Sequence, residues 1–497
     1  MERPSARGAG SAITWKAAQL VGTKLVFLIR ILVLARLLSP DDFGLLAIAM
    51  IAIGVSNRLT DLGMIPALVQ SEREEDRLYD VAWTVGMVRA VAIGVFIYLC
   101  APLIAELFSD PRAAALMRVL ALQPMLEALA SIRVVDFIRQ LNFRSVTLIR
   151  LPAAVSNTVV AIVLAPSLGV WALVAGALAG PATSLLLSYV LAPYRPRISL
   201  NPEAAGSLIR FGRWIFLAGI AALISSAILR LVISRQLGTV ELGLYYLAAS
   251  LAFIPSEVMS HVVGAVTFPL YSRLQDSRAD LARTFRSVLA SSAALLVPPC
   301  FLLIALSPGL VEFALGEKWH GTVPIIQILA AVSIISLLGE NVAPILKGAG
   351  RPKGVAVIEF VQAVTLISVV WFFATKWGVN GAALAWVPAI AISQVMSGLF
   401  VKQVIPDPFR GLGRILASVV VVGVTGSLIA IWIYGRLPSH AGVVLSATSS
   451  ILAMGILFFI LDRRLALGVG RDLGRLFPQL EPLLGLFESS AKKPQKP

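Results

Sequence analysis

Four basic side chains, Lys24, Arg30, Arg58 and Arg89, lie inside long apolar stretches near the start of the chain. An ionisable group at the middle of a membrane helix costs ~2.5–3.5 kcal/mol on insertion scales, so it normally faces a cavity or a partner. At ~100° per residue, Lys16, Gln19, Thr23, Lys24 and Arg30 fall on one broad face of a helix over 11–36. Asn57, Arg58 and Asp61 share a side of the next stretch, 42–69, and a third, 79–107, adds Arg89. The chemistry such a surface suits is the grip of an anion, because guanidinium forks match phosphate oxygens and are weakly hydrated. An internal salt-bridge cluster, Arg58 with Asp61 for instance, is the competing explanation. One carboxylate cannot neutralise four cations, which favours a ligand.

A second, less positive set follows. Arg230 joins the binding candidates, while Tyr246, Ser250, Glu257 and His261 line one helical face. Asp61, Glu257 and His261 are the candidates for coupling or gating, and a static ion pair explains Glu257 equally well. Glu127, with Gln123 and Ser131, offers Arg89 a partner. Glu340 with Asn341, and Glu359, read as side chains near helix ends that snorkel to the surface. Pro298-Pro299, Gly176 and Gly180 read as kinks and close packing. Catalytic chemistry finds no foothold: the chain has no Walker motif, dinucleotide fingerprint or nucleophile elbow. Cys100 and Cys300, and His261, His320 and His440, form no ligand cluster, so no metal, cofactor or enzymatic activity is expected.

The elements that carry these residues are membrane helices. With 58% hydrophobic residues and a mean hydropathy of +0.86, a soluble chain of 497 residues is excluded. Each span needs roughly 20 apolar residues, and about 14 are read, over 11–36, 42–69, 79–107, 114–137, 146–166, 169–192, 208–235, 242–271, 286–306, 322–346, 354–375, 379–402, 412–434 and 441–462. The fourth is the weakest, because Arg118, Glu127, Arg133 and Asp136 interrupt it. The net charge of +15 sits mainly in alternate loops and the tail, which points to membrane orientation with both termini cytoplasmic and not to nucleic acid.

The chain is also built twice. A shift of 199 residues lays Trp15 on Trp214, Arg36 on Arg235, Leu38 on Leu237, Asp42 on Glu241 and Gly44 on Gly243. Gly169-Val170 repeats at Gly378-Val379 with a shift of 209. In each copy Arg-x-Leu-x-x-x-acid-x-Gly predicts a tight hairpin, with Ser39 capping the second helix of the first copy. Duplicated bundles are a common design of alternating-access transporters. The expected fold is all-α: six-helix bundles at 1–194 and 208–405, a linker at 195–207, two further helices at 406–464 and a basic cytoplasmic tail at 465–497.

The segment LARLLSPDDFG followed by DLGMIPALVQ, between Leu34 and Gln70, resembles the opening of the bacterial polysaccharide flippases. These are the Wzx-type exporters, colanic acid and succinoglycan branch, of the multidrug/oligosaccharidyl-lipid/polysaccharide superfamily. The likeness extends over most of the chain, including Lys347-Gly348-Ala349-Gly350-Arg351-Pro352-Lys353. It implies 14 helices in two facing lobes in the inner membrane, and an undecaprenyl-pyrophosphate-linked oligosaccharide as substrate. It also implies a cationic cavity for the pyrophosphate, placed here at Lys24, Arg30, Arg58 and Arg89. Membrane lipids, a polysaccharide polymerase and a chain-length regulator are the expected partners. A drug–cation antiporter of the same superfamily, favouring an acidic cavity, and a membrane polymerase or ligase, favouring a large outer loop, are the alternatives.

Overall fold

The computed structural model describes residues 6–60, 76–140, 142–199, 221–260, 277–465 and 468–470, with Thr267, Tyr271 and Leu274. In that portion the chain is almost wholly helical. The helices are α1 (Ala6–Leu37), α2 (Pro40–Thr60), α3 (Asp76–Leu107), α4 (Arg112–Leu120), α5 (Gln123–Leu129), α6 (Val134–Arg139), α7 (Phe143–Leu168) and α8 (Val170–Leu191). Then come α9 (221–237), α10 (Thr239–Ala252), α11 (Ile254–Ser260), α12 (Arg278–Leu310), α13 (Thr322–Gly348), α14 (Pro352–Leu384), α15 (Trp386–Val404), α16 (Leu412–Arg436) and α17 (His440–Arg464). Among the described residues nine helices are long and apolar enough to cross a membrane. The number is ten if α10 and α11, bent by 43° at their junction, form one span.

Local chemistry sets many of these boundaries. Asn142, Ser277 and Ser439 cap α7, α12 and α17 by accepting from the backbone N–H three residues on. Pro298 and Pro299 sit inside α12 without ending it. The weak fourth span is not one helix. Residues 112–139 form three short ones, with Pro124 in the first turn of α5 and an extended ψ of 150° at Ala130. The charges that lowered its hydrophobicity find partners there: Asp136 accepts from the Tyr79 hydroxyl at 2.5 Å, Glu127 from Gln123 at 2.8 Å, and Arg118 stacks 5.4 Å from the Tyr98 ring centroid. Its counterpart in the second copy, α13, is a single rod of 27 residues.

The described contacts divide the chain into two compact units, Met1–Leu247 and Ala248–Pro497. In the first, α7 packs along α8 and α1, and α3 carries α4 and α5. Gly176 and Gly180 bring α8 against Asn157 and Ala153 of α7, the small-residue seam that membrane helices use in place of a hydrophobic drive. In the second unit α12 is the hub for α13, α16 and α17, and its Phe285 and Leu296 are fully enclosed in the core.

The duplication is visible in the backbone. Gly169, between α7 and α8, has φ 54° and ψ −129°; Gly378, within α14, has φ 60° and ψ −144°. Only glycine enters this region cheaply, so both copies turn between helices with the same residue in the same conformation. A Cβ at Gly378 would meet nothing within 4 Å, so the cost of adding one is backbone strain alone. Gly378→Ala should destabilise the detergent-purified protein by about 1–3 kcal/mol, read as a lower thermal midpoint; an unchanged midpoint would contradict this geometry.

Candidate substrate-binding site

Ser39 Oγ accepts from the Asp42 N–H at 3.2 Å, while the Asp42 carboxylate accepts from the Ser39 N–H at 2.9 Å and from its hydroxyl at 2.7 Å. This reciprocal cap also sets an acid at the positive end of the α2 dipole. In the second copy the turn is made by Gly238, at φ 95°.

The two hairpins, 199 residues apart in sequence, pack directly on one another inside the first unit. A Cβ on Gly44 would lie 2.0 Å from the Thr239 carbonyl oxygen, and one on Gly243 would lie 1.8 Å from that of Pro40. The motif glycines are therefore where backbone meets backbone. Polar bonds ring the contact: Ser234 Oγ donates to the Phe108 carbonyl at 2.6 Å, and Arg235 Nε to that of Leu107 at 2.7 Å. Thr239 Oγ1 donates to Asp110 at 2.9 Å. Arg112 forks between two acids, with 2.7 Å contacts to both Asp41 and Asp110.

Asp110 is only 6% exposed, whereas Arg112 is 58% exposed. Burial works against ionising Asp110, but hydrogen bonds from Arg112 and Thr239 and the guanidinium charge outweigh it, holding the carboxyl below the usual carboxylate range. The bonds to Asp110 and then Asp41 push the Arg112 guanidinium further up.

Just past this crossing a cavity of about 260 Å³ lies between α2, α9 and α10. Met50, Ile51, Ile53 and Gly54 form one wall, Leu223, Ser226 and Arg230 another, and Tyr246 closes a third. Arg230 donates through Nη1 to the Ala47 carbonyl at 3.4 Å, which holds the guanidinium at the cavity edge. Tyr246 is also within electrostatic range of Arg30 on α1. Arg230 and Tyr246 thus share one cavity, and Arg30 of α1 lies outside its lining but within electrostatic reach of Tyr246. A hollow of mixed polar and apolar lining with a guanidinium at its rim can hold an anion that carries a larger, less polar body.

The other sequence-named residues are distributed differently. Lys24 is half-buried, with its ammonium 5.7 Å from the Phe27 ring centroid, and does not line this cavity. Arg89, half-buried on α3, is likewise absent from its walls. Glu257 is exposed on α11, within the second unit. The Arg58 side chain, Asp61 and His261 lie outside the described residues. Sequence reasoning missed Ser226 and the Arg112–Asp110–Thr239 group. The one available signal for the latter was Asp110-Pro111-Arg112, a charged turn on a side of the membrane otherwise poor in charge.

The profile of the polysaccharide biosynthesis protein family matches residues 33–324, more than half of the chain. The chain belongs to that family. It is 27% identical over 342 residues to the succinoglycan biosynthesis transport protein ExoT of Rhizobium meliloti (strain 1021), covering 68% of this chain and 69% of that protein. It is 24% identical over 411 residues to the lipopolysaccharide biosynthesis protein WzxC of Escherichia coli (strain K12), covering 80% and 82%. The fold is similar to that of lipid II flippase MurJ in an inward closed conformation, with a TM-score of 0.71 at 15% identity, over 91% of this chain and all of that one. An inward-facing multidrug resistance MATE family transporter matches at 0.62 and 15% identity, over 80% and 99%. The chain therefore shares the fold of these two proteins and is a multi-pass membrane protein.

A carboxyl with a lowered folded pKa stabilises fully above its unfolded value of about 4 and stops doing so as pH falls through the folded value. Asp110→Asn should therefore cost about 1–3 kcal/mol at neutral pH, and its thermal midpoint should converge on the parent's in acid. A gap that persists in acid would show that Asp110 does not act through its charge.

Proposed function

We propose that this protein is a flippase that carries undecaprenyl-pyrophosphate-linked oligosaccharide units across the inner membrane by alternating access, for exopolysaccharide, capsule or lipopolysaccharide synthesis. The observation that carries the reading is Arg230, held beside Tyr246 at a cavity set in apolar helices, with Arg30 within electrostatic reach of that tyrosine. A guanidinium in that setting is well used only by an anion, and a pyrophosphate joined to a polyprenyl chain supplies both the charge and the apolar body. The transport and biosynthetic roles carried in the names of ExoT and WzxC agree with this assignment.

In this reading Arg30 and Arg230 bind the pyrophosphate, and Lys24, Arg58 and Arg89 extend the cationic path along which the head group moves. Asp61, Glu257 and His261 are the coupling or gating candidates. The topology that fits the duplication is 14 spans, with bundles at 1–194 and 208–405, a linker at 195–207, extra helices at 406–464, a basic tail at 465–497 and cytoplasmic termini. The second copy of the repeat begins before the second packing unit because α9 and the start of α10 pack with α2. A polymerase and a chain-length regulator are natural partners for the exported unit. A drug–cation exporter on the same fold would call for an acidic cavity, and this one presents Arg230.

Arg30→Ala and Arg230→Ala should each lower polymer export at least about tenfold, the equivalent of roughly 1.4 kcal/mol of lost interaction, with normal amounts of protein in the membrane. Export is read by complementation of a flippase-deficient strain. Full export from both variants would remove the assignment.

A further inference from the structure

The second unit holds an acidic group that the cavity above does not use. Glu340 sits on α13, eight residues before the helix ends at Gly348, or about 12 Å along the axis at 1.5 Å per residue. It does not snorkel to the surface as its sequence position suggests. Its helix packs against α12, α14 and α15, and Oε1 accepts from Ser336 Oγ at 3.2 Å. The other carboxylate oxygen, Oε2, is buried and has no hydrogen-bond partner. Among the described residues no lysine, arginine or histidine makes an ion pair with it; Lys347 and Lys402 are exposed near their helix ends.

The surroundings are polar but already committed. Gln394 of α15 accepts from the Gly339 N–H at 2.6 Å, and Asn341 accepts from Ser292 Oγ of α12 at 2.9 Å while donating to the Leu337 carbonyl at 2.8 Å. Cys300 of α12 is within electrostatic range, and Glu359 of α14 stands at a similar distance from the α13–α14 turn. An ionised carboxylate in such a place is costly unless something neutralises it. A metal cation is poorly served, because the described residues offer no group of three ligating acids, histidines or cysteines. A proton needs only one open oxygen, and Oε2 is open.

We propose that Glu340 is a proton-binding site of the second unit, and that proton uptake and release at Oε2 drive the transport cycle. The proposal rests on the transporter reading for its purpose, but not for its chemistry. The proton goes onto Oε2 from one face of the membrane and leaves to the other, with no other bond made or broken.

The full-length protein in proteoliposomes, given a fluorescent polyprenyl-pyrophosphate disaccharide as probe, tests this. The parent should move the probe faster under an imposed pH gradient. Glu340→Gln keeps the volume and an oxygen for Ser336 but cannot take the proton; it should bind the probe and exchange it without a gradient, yet lose the gradient response. Glu340→Asp should restore part of that response. A Glu340→Gln variant as responsive as the parent overturns the proposal. Infrared difference spectra across a pH step, on protein without substrate, separate this from the flippase reading. A carboxylic-acid carbonyl band that vanishes in Glu340→Gln supports the site even if the parent moves no probe, and a parent without any Glu340-dependent band overturns it.

Discussion

The first unit depends on one steric fact: at Gly44 and Gly243 two helices meet with no side chain between their backbones. A single methyl group at either position would sit within 2.0 Å of a carbonyl oxygen, far inside van der Waals contact. Because the glycines are equivalent members of a duplicated motif, the contact is a meeting of like with like. Everything nearby is arranged around it. The capped start of α2, the turn at Gly238 and the Arg112 fork all hold the hairpins at that separation, and the cavity with Arg230 begins within two turns along α2 and one along α10. The placement of the basic groups is therefore a consequence of a backbone contact as much as of their own chemistry.

Electrostatics at this end follows the same economy. Asp110 is buried with its bonds satisfied from two directions, and the one long cation that neutralises it keeps its own access to water. The desolvation cost falls on a short, rigid acid, whereas the flexible partner stays hydrated. Deeper in the chain the balance reverses. Arg230 has a backbone carbonyl as its recorded neighbour, and Glu340 has a serine hydroxyl, so each leaves unused capacity that a substrate group or a proton can fill.

Much of this was legible in the sequence where the cause is local. Ser39 and Asp42 are three residues apart, and their reciprocal cap follows from that spacing. Gly169 and Gly378 announce the turns between paired helices, whereas 114–137, read as the weakest of the spans because of its charges, is three short helices. Arg30 and Arg230 were named as basic groups in apolar runs, although the place of Arg230 beside Tyr246 requires α9 and α10 in position. The Arg112 fork was hidden, because Thr239 and Asp110 are 129 residues apart and nothing in either segment points to the other. Glu340 was misread for a related reason: nearness to a helix end suggests escape to water, but neighbouring helices decide whether the route is open.

The contrast between 112–139 and Thr322–Gly348 has a mechanical consequence. Residues 112–139 are three jointed pieces, whereas Thr322–Gly348, which the 209-residue shift lays on them, is an unbroken rod. Flexing the jointed copy at Ala121–Leu122 or Ala130–Arg133 sacrifices few ladder bonds, since the ladder is already interrupted there, while flexing the rod would rupture several at once. Compliance and stiffness are thus divided between these two segments, and of the pair the jointed one yields first.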